Sequence, residues 1–268
     1  MKAFSETNIY NEMGIKMNQT DIPIYGVHAV RELIKTRKQD IEHIYFDKDK
    51  KNEDLFNLIK TSRKERLNYN LVPEIKLNSL SGSSRHQGVV AFCSIKPYSS
   101  PDELKQIISR KKSPLLLVAA SVEDPLNLGA IIRSAVAFGV DAMLLERKNT
   151  VPLNASVARS SAGMIEHLAV GKPRNLEGFL KELLKQDFTI AGAHMTKGEQ
   201  PDAADLTGPI ILVCGGENRG IPPYLDKLCT THLKIPMTGA AQSLNVSAAS
   251  AVLMYECMRQ RGFPESER

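Results

Sequence analysis

Three stretches of this chain set polar side chains where an apolar run ends. In EDPLNLGAIIRSAVAFG (123–139), Asn127 stands at a Pro-marked turn and Arg133 follows six residues later among small and apolar neighbours. In VCGGENRGIPP (213–223), Glu217 sits among Gly215, Gly216 and Gly220. In IPMTGAAQSLNVSAAS (235–250), Ile235 and Met237 lead through small residues to Ser243, Leu244 and Asn245. An arginine in an apolar helix is costly unless it meets an anion. Glycines let backbone approach a ligand closely, and amides and a carboxylate can hold one in place. Ser243 and Asn245 alone are explained by capping, since such side chains accept hydrogen bonds from the free N–H groups of a helix start. Capping does not explain three loops that each follow a strand, the place where open α/β sheets bind ligands.

Other chemistries lack their residues. GxGxxG does not fit the glycine turn, and no GK[ST] follows a glycine-rich loop. A nucleotide-dependent oxidoreductase on a Rossmann-type sheet would need the first, with an acidic residue about 20 positions on. Cys93, Cys214, Cys229 and Cys257 form no CxxC pair, and the six histidines show no ligand spacing. The cysteines read as reduced cytosolic thiols, which places the protein in the cytoplasm with no metal. No apolar run approaches a membrane span, and the start, MKAFSETNIYNEMGIK, lacks the apolar core of a secretory signal; Met17 is a second candidate start.

These loops need a scaffold. The 268 residues suit two modest domains. Residues 1–20 are polar and aperiodic, a flexible tail. Over 21–96, helical GVHAVRELIKTR and EDLFNLIKTSRKERL alternate with strand-like IEHIYFD, NYNLVPE and HQGVVAFCSI. Residues 97–112 begin with the Pro/Ser content of a linker, and DELKQIISRKK adds a short helical stretch. Over 113–268, the apolar runs LLLVAASV, DAMLLE, EHLAV, FTIAGA, IILVCG and THLKIPM alternate with helical segments, so the expected fold is α/β with a mostly parallel sheet and helices on both faces. Residues 1–112 hold 20 Lys and Arg against 14 Asp and Glu, whereas 113–268 hold 15 against 16. The basic excess in the first part suggests a polyanion grip joined to a neutral module.

In this order the three clusters resemble the SpoU family of RNA ribose 2′-O-methyltransferases in the SPOUT superfamily. The pattern N-x-G-A-x-x-R-[ST], then G-x-E-x-x-G, then I-P-M-x-x-x-x-x-S-L-N-V-S is met by residues 127–134, 215–220 and 235–247. The first part, with YGVHAVRELI and HQGVVA, is similar to the L30e-like RNA-binding domain of bacterial members that methylate a guanosine of 23S ribosomal RNA. The resemblance implies a trefoil-knotted catalytic domain, a homodimer with the site near its interface, and S-adenosylmethionine as methyl donor. It puts Gly215, Ile235 and Leu244 against the cofactor, with Gly216, Gly220 and Met237 beside them. The GGENRG motif differs between Glu217 and Gly220 from many such members, which bears on the target.

The resemblance further implies that Arg133 is the central catalytic residue. A guanidinium keeps its proton, so its expected role is to grip the phosphate beside the target ribose and to offset the developing alkoxide. Asn127, Glu217, Ser243 and Asn245 then position Arg133 and the ribose. Arg63, Lys64 and Arg66 at a helix end, and Arg85 in SGSSRHQG, are the expected RNA contacts. Alternative readings are a transfer RNA or another ribosomal site, a resistance-conferring one included, and a non-catalytic RNA-binding ribosome-assembly factor.

Overall fold

The computed structural model describes residues 9–10, 16–17, 21–239 and 243–263. The chain divides into two compact units, residues 1–96 with 153–166 and residues 97–152 with 167–268. Of the expected tail over 1–20, only β1 (Ile9–Tyr10) and β2 (Lys16–Met17), an antiparallel pair, lie within the described residues.

The first unit continues through β3 (Asp21–Tyr25), α1 (Val27–Arg37), β4 (Ile41–Asp47), α2 (Glu53–Lys64), β5 (Tyr69–Val72), α3 (Glu74–Ser81) and β6 (Val89–Ser94). The strands form one sheet in the order β3-β6-β4-β5, parallel only between β4 and β5. Sequence periodicity does not show α3, because among its residues only Leu77 is buried. Asn52 starts α2 by accepting a hydrogen bond from the Asp54 backbone N–H, and Arg63 and Lys64 occupy its last turn, where cations suit the helix dipole.

The second unit opens with α4 (Pro101–Ser109), so the expected linker over 97–112 is folded. Ser100 and Glu103 form a reciprocal capping box that starts this helix, and Leu104 and Ile108 join the core. Then come β7 (Leu115–Ala120), α5 (Pro125–Ala137) and β8 (Ala142–Leu145). A short α6 (Ala155–Ser160) belongs to the first unit. The second resumes with β9 (Ala169–Gly171), α7 (Leu176–Leu184), β10 (Thr189–Ala193), β11 (Ile210–Gly215), α8 (Pro223–Asp226), β12 (Thr231–Leu233) and α9 (Val246–Arg261). The strand expected over EHLAV is shorter, because residues 164–167 turn as a 3-10 helix.

All six strands run parallel in the order β12-β10-β11-β7-β8-β9. The run LLLVAA of β7 is buried throughout, as a central strand covered on both faces must be. Leu116 and Val118 pack with Leu104 of α4 and Phe179 of α7 on one face. Strand residues alternate, so Cys214 points to the other face, where α9 lies along β11 and Ser250 Oγ donates to the Val246 carbonyl at 2.7 Å. The threading that the resemblance implies runs through a segment whose residues 240–242 lie outside the described ones. Among the described residues, no helix is long and apolar enough to cross a membrane.

Residues 153–166 are held in the first unit by polar contacts. Arg37 Nε forms an ion pair with Glu166, 2.8 Å from a carboxylate oxygen, with both side chains largely buried. Arg37 also donates to the Ser94 carbonyl, and Lys96 to that of Ile165. Burial pushes the Lys96 ammonium down to about 8. Burial raises the Glu166 carboxyl against the pull of Arg37. Removing one partner of a buried pair strands the other charge, at a cost of about 3–5 kcal/mol. Glu166→Ala should therefore lower the denaturant midpoint of the first unit well below that of the parent protein. An unchanged midpoint in a urea titration would show the pair to be idle.

Candidate active site

Parallel strands put their carboxyl ends on one edge of the sheet, and β7 and β11 are neighbours there. Each is followed by one of the polar loops. Asp124 caps α5 by accepting from the Leu126 N–H, which sets Asn127 in the first turn. Glu217 lies just beyond β11, and Asn245 is the cap residue of α9. These three side chains, far apart in sequence, meet. Asn127 Nδ2 donates to Glu217 Oε1 at 3.2 Å, and Asn245 Nδ2 donates to Asn127 Oδ1 at 3.0 Å and also to Glu217 Oε1. Asn245 Oδ1 meanwhile accepts from the Ser247 N–H at 2.8 Å. Helix cap and site residue are thus one side chain, its oxygen serving the helix and its amide nitrogen the cluster.

The turn after β11 has no room for a side chain at Gly215 or Gly216. A Cβ on Gly216 would stand 1.8 Å from the Ser121 carbonyl oxygen, and one on Gly215 would stand 2.0 Å from the Gly220 carbonyl carbon. Gly220 adopts φ +60°, and space is open where its Cβ would point. Ser121, at the end of β7, is itself left-handed at φ 57°. A buried carboxylate on the next strand holds it there: Glu146 accepts from Ser121 N at 3.1 Å, from Ser121 Oγ at 3.3 Å and from the Tyr224 hydroxyl at 2.9 Å. Burial, followed by the contact with Glu146, raises the Tyr224 phenol above its ordinary range.

Beside the cluster a cleft opens. Its wall includes all six residues expected to touch a cofactor: Gly215, Gly216, Gly220, Ile235, Met237 and Leu244. Glu217 and Ser243 lie on the same wall. Sequence reasoning missed Ala193, His194 and Met195, which close the cleft from the end of β10, and Leu233 from β12. The signal was present, since FTIAGA is one more apolar strand running into small residues. Leu233, Ile235, Leu244 and Val246 offer an apolar wall fit for a flat heterocycle, and the glycine turn offers backbone groups for its polar edge. A second hollow lies on the other side of Glu217, lined by Asn127, Glu123, Asp124 and Arg219.

Arg133 is placed differently from the other expected catalytic residues. It is exposed on α5, whose buried face is Leu128, Ile131, Ile132 and Ala135, and it is not among the residues that line the cleft or the second hollow. The burial inferred for it from its apolar neighbours is corrected: those neighbours supply the core face, and the arginine occupies the opposite one. Arg63, Lys64, Arg66 and Arg85 are all exposed in the first unit, the first three at the end of α2 and Arg85 between α3 and β6. Arg63 donates to the Tyr69 hydroxyl at 3.2 Å. The fold also gathers Asp226, Cys229 and His232, whose potential ligand atoms lie within 4.8 Å of one another. Lys197 already pairs with Asp226 at 2.9 Å, and burial pushes the Cys229 thiol up to about 11. A cation there would have to displace a lysine and ionise a reluctant thiol.

Comparison with known proteins bears on this arrangement. Residues 114–255 match the SpoU rRNA Methylase family, and residues 23–99 match the RNA 2′-O ribose methyltransferase substrate-binding family. The 23S rRNA (guanosine-2′-O-)-methyltransferase RlmB of Xylella fastidiosa is 34% identical over 246 residues, which is 91% of this chain and 99% of that protein. A Staphylococcus epidermidis protein, whose name gives the TrmH family and spans tRNA and rRNA, is 35% identical over 90% of this chain and 96% of its own. The crystal structure of the SpoU methyltransferase AviRb from Streptomyces viridochromogenes in complex with AdoMet superposes with a TM-score of 0.74 at 22% identity, covering 90% of this chain and 91% of that one.

The tight turn yields a prediction independent of any ligand. Gly216→Ala forces a methyl group onto the Ser121 carbonyl, an overpacking that costs about 1–3 kcal/mol. Thermal unfolding should show a Tm several degrees lower. A parental Tm would mean that the β7 and β11 ends separate freely.

Proposed function

The chain belongs to the SpoU rRNA methylase family, and on that premise we propose how its residues carry S-adenosylmethionine-dependent methylation of an RNA ribose 2′-hydroxyl, with a guanosine of 23S ribosomal RNA as target. The observation that carries the reading is the meeting of Asn127, Glu217 and Asn245 at the rim of a glycine-walled cleft. The cleft residues fit the cofactor: the open space at Gly220 and the apolar wall of Ile235 and Leu244 suit an adenine ring and its ribose. When bound there, the cofactor supplies an electrophilic methyl group for in-line displacement. The protein's part is alignment and charge. Glu217 fixes both amides, Ser243 offers a hydroxyl at the cleft wall, and the second hollow beside Asn127 and Arg219 receives the ribose. The protein works in the cytoplasm, without a metal. A transfer RNA target is the second reading, which the name of the staphylococcal relative covers together with rRNA. Mapping 2′-O-methyl positions in total RNA with and without the gene tests both. Loss of one 23S guanosine methyl supports the first, loss of a tRNA methyl the second, and no loss removes the function.

Arg133 belongs to this reading through the second copy of a homodimer. On α5 it shares a stripe with Leu126, Ala130 and Ala137, and on α9 the exposed stripe is Ala248, Val252 and Tyr255. Leu126 is 55% exposed and Tyr255 47%. The Tyr255 ring lies 6.0 Å from Phe138 and 5.4 Å from Phe263, which joins the three rings into one aromatic cluster. The two helices pack together and present one face, of the kind that a two-fold interface covers. Arg133 then stands at the interface, beside the active sites, and grips the phosphate next to the target ribose.

Two outcomes follow. Arg133→Ala should cut methyl transfer by at least about 100-fold while cofactor affinity, measured by calorimetry with a chelator present, stays within a factor of two. Near-parental turnover removes Arg133 from the mechanism. Val252→Glu with Tyr255→Glu should yield a folded monomer by light scattering, and a parental dimer in that variant would place the interface elsewhere.

A further inference from the structure

The charge count by halves hides a feature of the catalytic unit. A hollow distinct from the cofactor cleft is lined by Lys105, Arg147, Lys172, Arg174 and the ring of Tyr98. The one carboxylate on its wall, Glu182, is paired with Lys105 at 2.7 Å. Among the described residues Arg147 and Arg174 have no acidic partner, and both are exposed. Lys172 is half-buried, reaches the Thr150 carbonyl at 3.4 Å and stands 5.9 Å from the centre of the Tyr98 ring. With Lys105 paired to Glu182, Arg147, Lys172 and Arg174 remain around the hollow with no acidic partner among the described residues, and like charges so placed repel one another until an anion arrives. Burial, and then the nearby Arg147 charge, lower the Lys172 ammonium below its ordinary range. The hollow also receives the amino end of α7, whose dipole favours negative charge, although the Asn175 cap already accepts from the Gly178 N–H.

We infer that this hollow binds phosphodiesters of the RNA substrate, as a second grip on the catalytic unit itself. The inference rests on the RNA reading above and extends it to residues outside the three polar loops. Position supports it. Arg147 follows β8, and Lys172 and Arg174 follow β9, so the hollow lies on the same sheet edge as Asn127 and Glu217. The offset is about two strand spacings, roughly 10 Å, within reach of one RNA strand that also enters the site. Arginines take phosphate oxygens in bidentate pairs, and the Tyr98 ring offers a flat wall for a ribose or base. Such contacts position the strand and carry no sequence information.

The test is Arg147→Glu with Arg174→Glu in the full chain, assayed for methyl transfer to its RNA over a range of salt. KM for RNA should rise at least about tenfold, and the salt slope should fall by about 0.7 for each lost phosphate contact. Turnover at saturating RNA and cofactor affinity should stay within a factor of two, because neither arginine lines the cofactor cleft. Parental KM and slope in an active, folded variant overturn the inference and leave the proposed function standing. If the glutamates prevent folding, Arg147→Gln with Arg174→Gln keeps the side-chain bulk and must raise KM in the same direction; a KM that does not move is again a refutation. If the parent protein itself methylates no RNA, the proposed function has failed. Retention of a 23S rRNA fragment by parent and variant then decides the groove alone, with equal retention counting against it.

Discussion

The site depends on the close approach of two strand ends. Gly216 passes so near the Ser121 carbonyl that no side chain fits between them. That approach sets the turn from which Glu217 reaches Asn127 and Asn245, and it shapes one wall of the cleft. It is held from the far side by Glu146, whose carboxylate accepts both the N–H and the hydroxyl of Ser121. A buried carboxylate with three donors is well satisfied, and a partly satisfied one would be costly. The third donor, Tyr224, comes from α8, so the segment 216–224 is fixed at both ends: by Gly216 against Ser121, just after β7, and by Tyr224 to Glu146, just after β8.

The same economy of side chains governs the Asn127, Glu217 and Asn245 cluster. Each amide has one oxygen and two N–H groups, and the arrangement uses them without conflict. Asn245 turns its oxygen toward the α9 backbone and its nitrogen toward the other two residues. An aspartate in its place could cap the helix equally well, yet it would set a second carboxylate against Glu217. A serine could cap but would not span the cluster. Capping and function therefore select the same residue type at position 245, and for that reason the SLN stretch at the head of a helix otherwise fit for a core was ambiguous when read alone.

Much of this was legible in the residues because its determinants are local. Apolar runs gave the six strands of the catalytic unit, and β4 spans the IEHIYFD run end to end. Small and polar residues after those runs gave the loops, and all six expected cofactor positions line one cleft. What escaped depends on partners distant in sequence. The helix α3 buries too little to show a period. The 97–112 segment has a linker's composition, yet its Leu104 fills the space over Gly171, where a Cβ would stand 2.4 Å from the leucine methyl. Residues 153–166 lie within the stretch matched by the methylase family and nonetheless pack in the first unit, through an Arg37–Glu166 pair that no spacing rule predicts. Charge summed by halves pointed to the first part, whose residues 23–99 match a substrate-binding family, but it averaged away the local grouping of Arg147, Lys172 and Arg174 at one hollow of the second unit.

Arg133 is the instructive misreading. An arginine amid small and apolar residues looked buried, and burial was the reason to assign it an anion. The structure keeps the arginine and removes the reason: α5 is apolar on two sides, and only one of them faces the core. The other side leaves Leu126 exposed, as α9 leaves Val252 and Tyr255. A helix hydrophobic nearly all round must be covered all round, and one protomer covers half. The apolar surroundings of Arg133 in the sequence therefore record two packings laid along a single helix, the core of this chain and, on the proposed reading, the face of its twin. On that same proposal the cost of placing a charge there falls on the assembled dimer, where the phosphate of the substrate would be the anion that offsets it.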